Sequence, residues 1–219
     1  MTPSDLPKAW IVVGGGATYG EANWEVLPPL NAPDNLDWLP PLHPRIGEAM
    51  RQYRPHPDDR KVYRERAENL LAQADRLDVE LPSAFRELVL SQELQDRFPS
   101  ATACYFDLPE SIVPAPFGLD GHIIRFLNDQ QICILWYLYL PTIGVPCVLA
   151  SAPVEGADFL EELRPDDEQA IAAARDLTRI VSPTFGEFLL RYWFENSIWF
   201  KKHYKLPLSD AEADYLSQC

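Results

Sequence analysis

The stretch Gly121–Leu140, GHIIRFLNDQQICILWYLYL, constrains the fold of this chain more than any other part of the sequence. Its two ends, His122–Leu127 and Ile132–Leu140, are rich in β-branched and aromatic residues, which favour strands. The four polar residues Asn128–Gln131 between them have the length of a common hairpin loop. The sequence therefore predicts two adjacent antiparallel strands.

Both faces of the second predicted strand are apolar. Its residues alternate between one face, with Ile132, Ile134, Trp136, Leu138 and Leu140, and the other, with Cys133, Leu135, Tyr137 and Tyr139. Because neither face is polar, we expect a central strand that is covered on both sides, with Cys133 buried. If Leu127 faces Ile132 across the pair, Ile123 faces Trp136.

Helical periodicity occurs before and after this hairpin. The predicted helices span Asp58–Val79, Ser83–Phe98, Pro165–Ile180 and Phe185–Lys202, followed by a short helix that begins at Ser209. Further strands are predicted at Ala101–Asp107 and Val145–Ser151, with a loop at Leu108–Leu119. Strands joined by short turns make an antiparallel sheet, and helices segregated before and after it indicate an α+β fold, an antiparallel β-sheet flanked by helices.

Proline divides the chain into two parts. Ten of the 21 prolines lie within residues 1–57, and proline lacks an amide donor and disfavours helix in the residue before it. We therefore predict a proline-rich arm at 1–56, made of irregular structure or edge strands, and an α+β domain at 57–219. The arm carries Trp10, Trp24 and Trp38, so we expect it to pack on the domain.

The net charge restricts the partners of the protein. The chain has 33 acidic and 19 basic residues, a formal net charge of −14. Nucleic acid and anionic membranes are therefore not expected as partners, because both need a basic surface. A basic protein would be attracted to such a surface. The amino terminus lacks the basic and long apolar regions of a signal peptide, so we expect a cytoplasmic protein.

The sharpest indication of an enzyme is a glycine-rich segment, Gly14–Gly20, which follows a short apolar stretch. A phosphate site would need a helix directly after the glycines. Pro28 and Pro29 interrupt the next segment, so a flexible glycine turn is the favoured interpretation and a nucleotide-dependent enzyme the weaker alternative. No two of its four cysteines have the C-x-x-C spacing of a zinc site. Its acidic run lacks the glycine and the alternation of a calcium-binding loop. We predict no catalytic residues, no cofactor and no metal.

Three stretches together resemble the SUKH superfamily of bacterial proteins. They are LPSAFRELV at 81–89, RFLNDQQICILWYLYL at 125–140 and TFGEFLLRYWFENSIWF at 184–200. The resemblance covers about residues 57–219 and leaves the proline-rich arm outside. It implies an α+β fold without catalytic machinery, and many members look like immunity proteins that bind and neutralise a cognate toxin. Others are regulatory or housekeeping binding modules.

The resemblance implies a protein partner, a toxin domain such as a basic nuclease, and function without catalysis. Exposed loop tips and aromatic residues beside carboxylates are common contact sites. We therefore predict partner contacts at five polar residues: Asp107, Glu110, Asp129, Gln130 and Glu195. For Asp129 the alternative is that its carboxylate only caps its own turn.

Overall fold

An antiparallel six-stranded sheet forms the centre of the structure. The computed structural model describes residues 5–11, 21–22, 25, 27–53, 57–155, 157–164 and 166–218. The sheet strands are β3 (Tyr105–Phe106), β4 (Val113–Pro114), β5 (Gly121–Asn128), β6 (Leu135–Pro141), β7 (Cys147–Ser151) and β8 (Arg179–Ser182). Their order is β3-β5-β6-β7-β8, and β4 also pairs with β5. A separate two-stranded pair joins β1 (Trp10–Ile11) to β2 (Glu21–Ala22).

The helices lie before β3 and after β7 in the chain, one of them between β7 and β8. They are α1 (Pro44–Met50), α2 (Pro57–Leu77), α3 (Ser83–Leu90), α4 (Gln92–Gln95), α5 (Glu168–Leu177), α6 (Phe185–Tyr204) and α7 (Asp210–Ser217). Short 3₁₀ turns follow α1 and precede α5. An antiparallel sheet with segregated helices confirms the predicted α+β fold.

The two faces of the central hairpin pack in two different cores, as the alternation of β6 predicts. Trp136 and Leu138 belong to a core formed with α2, α3 and α6, which we call the helical core. Tyr137 and Tyr139 point the other way, into a second core with Leu160 and Ala174. Both faces of the strand are therefore covered.

The predicted register of the hairpin was wrong. Leu127 pairs with Trp136, and Ile123 pairs with Tyr139. The reason is the length of the loop, which extends over residues 129–134 and closes with a hydrogen bond from the amide of Asp129 to the carbonyl of Ile134, 3.0 Å. Cys133 consequently lies in this loop and is exposed, not buried in a strand. A bulge in β5 also changes the register, since Arg125 pairs with Tyr137 and Leu127 pairs with the next residue of β6, Trp136.

Two predicted helices are shorter than their apolar patterns suggested. The helix expected at 83–98 breaks at Ser91, whose backbone is extended and whose Oγ accepts the amide of Leu94 at 3.2 Å to start α4. The helix expected at 165–180 ends at Leu177. The next segment, Arg179–Ser182, is β8, because its side chains continue the buried faces of the sheet beside β7.

Strand content before the hairpin also differs from expectation. The strand predicted at Ala101–Asp107 is reduced to β3, and the predicted loop at Leu108–Leu119 contains β4. Both short strands pair with β5. The sheet therefore has two strands that the sequence did not indicate, the two-residue β4 and the four-residue β8.

The described part of the proline-rich segment contacts the sheet and the helices. The amide of Ala9 donates to the carbonyl of Ile180 at 3.0 Å, so this segment lies along the edge of β8. The ring of Trp10 lies 5.7 Å from that of Phe188, and the Trp38 ring lies 6.4 Å from that of Trp193. Trp24 lies outside the described residues.

The proline-rich segment, expected to be mostly irregular or made of edge strands, also contains a helix. Residues Pro44–Met50 form α1, and the ring nitrogen Nδ1 of His43 accepts the amide of Arg45 at its start. Proline at the first helical position is compatible with a helix, because its missing amide would have no partner there.

Helix α7 is attached to α6 through the buried carboxylate of Glu212. One oxygen accepts the hydroxyl of Ser197 at 2.6 Å, and the other accepts the ammonium of Lys201 and the amide of Ser209. Burial acts to raise the pKa of Glu212, but these hydrogen bonds outweigh it and hold the pKa below its usual value. Ser209 and Glu212 also form a capping box at the start of α7, the helix predicted to begin at Ser209.

The lowered pKa of Glu212 predicts a loss of stability in acid. A carboxyl group whose pKa is lower in the folded state stabilises the protein above its unfolded pKa, about 4.3, and loses this contribution as pH falls through the folded value. The free energy of unfolding should fall less between neutral pH and about pH 3 in Glu212→Gln than in the wild-type protein, because the variant has no carboxylate to protonate at this position. Urea unfolding across this range measures it. Glu65→Gln, an exposed control, should retain the wild-type dependence.

Gly121 allows β5 and β6 to approach, and its replacement provides a sharp test of the hairpin. Its φ is +123°, and an added Cβ would lie 2.1 Å from the carbonyl oxygen of Leu140. Gly121→Ala should reduce the free energy of unfolding by more than about 1 kcal/mol. Gly47→Ala in α1, where nothing lies within 4 Å, should instead stabilise by roughly 0.5–1 kcal/mol. Equal effects in urea titrations would contradict this account of Gly121.

Candidate functional site

The tip of the β5–β6 hairpin presents one of its two predicted contact residues and buries the other. Asp129 is only 2% exposed, and its Oδ2 accepts the amides of Gln131 at 3.1 Å and Cys133 at 3.3 Å. Its carboxylate therefore caps the turn and is not accessible to a partner, which corrects the prediction for Asp129. Gln130 is exposed at the same tip, and its contact with a partner stays a prediction.

Glu195 lies in the interior between α6 and α7. It is 1% exposed, and its Oε1 accepts the hydroxyl of Tyr215 at 2.7 Å. The neighbouring aromatic residues Trp193 and Phe194 are also buried. Glu195 is therefore not accessible to a partner, which corrects its predicted contact, because α7 and the proline-rich segment cover this side of the helix.

Asp107 and Glu110 lie on the surface beside the start of β4. Asp107 is half-buried and accepts the Arg125 guanidinium at 2.7 Å. The side chain of Glu110 is exposed, while its carbonyl accepts amides from the side chains of Asn69 and Gln73 on α2. Both residues remain accessible, and their contact with a partner stays a prediction.

Arg125 is the centre of a buried charged cluster behind Asp107. Its Nε donates to Glu161 at 2.8 Å, and its Nη1 donates to Asn128 at 2.8 Å. The guanidinium carbon lies 4.2 Å from the ring centre of Phe159. Burial acts to lower the pKa of Arg125, but the carboxylates of Glu161 and Asp107 outweigh it and raise the pKa. The cluster joins β5 to the residues before α5, so its role is structural.

Removal of this cation should be costly, because it leaves two carboxylates beside each other in a poorly solvated site. Arg125→Met should lower the free energy of unfolding by about 3–5 kcal/mol. Arg64→Met removes an exposed pair with Glu68 and should cost less than about 1 kcal/mol. Urea unfolding of both variants measures the difference, and a mild effect of Arg125→Met would show that the cluster does not hold these segments together.

Exposed apolar side chains are gathered in two places. In the described part of the chain, seven large hydrophobic residues are exposed: Tyr53, Val62, Leu77, Tyr105, Ile143, Val145 and Leu177. The first group, Tyr53, Val62 and Tyr105, surrounds a cavity of about 460 Å³ between α2, α4 and β3. We call this cavity the tyrosine groove. Asp59 and Asp107 also line it, so it includes one of the predicted contact residues.

The second group lies at the opposite end of the sheet. Leu77 and Val145 line a cavity of about 690 Å³ between the β6–β7 turn, the α2–α3 turn and the start of α6, which we call the hairpin groove. Ile143 stands between Thr142 and Gly144, which both line it. The two grooves are separated by the length of β5, about 20 Å at the usual rise per strand residue.

Sequence reasoning missed the hairpin groove. Val145 was assigned to the start of a strand, whereas β7 begins at Cys147. One signal was available in the sequence. Ile143 and Val145 lie on either side of Gly144 in a turn, where small and polar residues are more usual. The helix α2 was predicted. That Val62 near its start lines one groove and Leu77 at its end lines the other was not.

Two other findings bear on the kind of site. Among the described residues, no group of three or more His, Cys, Asp or Glu side chains is placed to hold a metal ion. Nor does any helix in that part of the chain have the length and apolar character needed to cross a membrane. The glycine-rich segment Gly14–Gly20 lies outside the described residues, so the nucleotide alternative is not tested by the structure.

Two of the four cysteine thiols, those of Cys104 and Cys147, lie in surroundings that do not favour nucleophilic chemistry. Burial raises the pKa of the Cys147 thiol to about 12. Burial also raises the pKa of Cys104. A thiol acts as a nucleophile through its thiolate, so both groups are poorly suited to that role at neutral pH.

The fold and the two grooves define an antiparallel α+β domain with two apolar surface sites. In comparisons with known proteins, no family model matches the chain, no curated protein matches it and no solved structure matches it. The resemblance to the SUKH superfamily therefore stays a prediction.

Proposed function

We propose that this protein is a non-catalytic, cytoplasmic protein-binding domain that neutralises a bacterial toxin by direct contact. One observation carries the proposal. Six of the seven exposed large hydrophobic side chains in the described part of the chain stand in or beside two grooves. Contiguous exposed apolar surface that includes aromatic residues is typical of protein-interaction sites.

The charge of the chain favours a basic partner. A formal net charge of −14 attracts a basic protein over long range and raises its rate of association. Toxins that act on nucleic acid carry basic surfaces, since they must bind phosphate. Such a toxin would be bound without a reaction, which agrees with the resemblance to immunity proteins.

The test is a rescue and binding experiment with the toxin domain encoded beside the gene. Co-expression should restore growth of cells that produce the toxin, and the purified proteins should form a one-to-one complex in light scattering. Tyr105→Ala and Ile143→Ser probe the two grooves, and Leu177→Ser is the matched control at an exposed leucine that lines neither groove. At least one groove variant should weaken the complex while the control does not.

Two results would contradict this function. If no neighbouring toxin domain binds, the immunity role is wrong, and a growth defect on deletion would favour a regulatory binding module. If a complex forms but neither groove variant weakens it more than Leu177→Ser does, the grooves are not the contact surfaces.

A further inference from the structure

The tip of the β6–β7 turn is the most exposed apolar feature in the described part of the chain. Ile143 is 90% exposed and Val145 is 70% exposed. Exposure of two branched aliphatic side chains on one turn forgoes the stabilisation that their burial would give. The turn is held in place, because the hydroxyl of Thr142 donates to Asp120 at 2.9 Å. The two side chains are thus presented by a turn that this hydrogen bond ties to the residue before β5.

The groove beside this turn has an apolar floor and an acidic rim. Leu81, Leu140 and Phe185 are buried and form part of its floor. Asp34, Asp78 and Glu80 are exposed and line its rim. Among the described residues, no lysine or arginine lines the hairpin groove. The carboxylates of the rim therefore make the groove acidic. The partly exposed His122 also lines it.

A second copy of this chain is a poor occupant for the groove. A symmetric dimer through this surface would place the three rim carboxylates of one copy near those of the other. Like charges in such an interface oppose association. The same carboxylates would attract a lysine or arginine beside the apolar contact, so charge complementarity selects a basic occupant.

We propose that the hairpin groove is the docking site for a basic, amphipathic segment of a protein partner. An apolar side chain of the segment packs against Ile143 and Val145, and its lysine or arginine residues face Asp78 and Glu80. This inference rests on the proposed protein-binding function, and it assigns that function to one surface and one partner chemistry. The tyrosine groove, about 20 Å away along β5, then remains free for a second contact.

A synthetic amphipathic peptide of leucine and lysine tests this docking site without any toxin. Titration into the nitrogen-15-labelled protein should shift the amide signals of residues 78–80 and 142–145 and leave those around Tyr105 unchanged. A peptide of leucine and glutamate with the same apolar pattern is the charge control and should not bind. Shifts spread over the whole acidic surface, or equal binding of the two peptides, would overturn the proposal.

Substitutions separate the apolar contribution from the charged one. The double variant Ile143→Ser with Val145→Ser should weaken peptide binding about tenfold or more, because two apolar contacts are lost. Leu177→Ser should leave affinity unchanged. Asp78→Asn with Glu80→Gln should weaken binding and reduce its salt dependence, whereas Glu65→Gln should change neither. Loss of affinity in the control variants to the same extent would overturn the proposal.

The outcomes also distinguish this docking site from the proposed toxin partner. Peptide binding at the groove without rescue from any toxin would retain the docking site and reject the immunity role. Rescue that is insensitive to Ile143→Ser, with no peptide shifts at residues 142–145, would retain the immunity role and reject this docking site. A dimer of the protein alone that Ile143→Ser dissociates would show that the occupant is a second copy, which also overturns the proposal.

Discussion

The pairing of β5 with β6 is the contact on which the rest of the structure depends. Each strand supplies side chains to both cores, so these two strands form the shared wall between them. Trp136 contributes to the helical core and its neighbour Tyr137 to the second core. A register change of one residue would exchange the two sets, and neither core would keep its packing. The narrow approach at Gly121 and the loop at 129–134 fix that register at its two ends.

The bulge in β5 explains how a charged cluster and a hydrophobic core coexist on one strand. Between Arg125 and Leu127 the pairing slips, so Phe126 and Leu127 both pack in the helical core while Arg125 points to the opposite face. There it meets carboxylates from two other segments. A buried ion pair is a costly way to gain stability, but here it fixes the position of the chain before α5, which covers the second core.

The sequence predicted the elements with strong periodicity and failed where packing decided between alternatives. The two apolar faces of β6 and the capped start of α6 at Thr184 follow from local pattern alone. The register does not, because Ile132 and Ile134 look like strand residues but close a loop. Glu195 looked exposed because helical spacing does not reveal that α7 returns to cover it. The hairpin groove was missed for the same reason, since its walls come from four distant segments.

The two grooves arise from the way in which the sheet is covered. The segment before β1 pairs along β8, and helices or loops cover both faces, while six of the exposed large apolar side chains of the described residues remain at the two ends of β5. One end is lined by tyrosines beside Arg66 and Asp107, and the carboxylate of Asp107 is already paired with both Arg66 and Arg125. The other end has carboxylates on the rim and no lining cation among the described residues. We therefore expect charge to select the occupant of the proposed docking site in the hairpin groove, and shape and aromatic surface to matter more at the tyrosine groove.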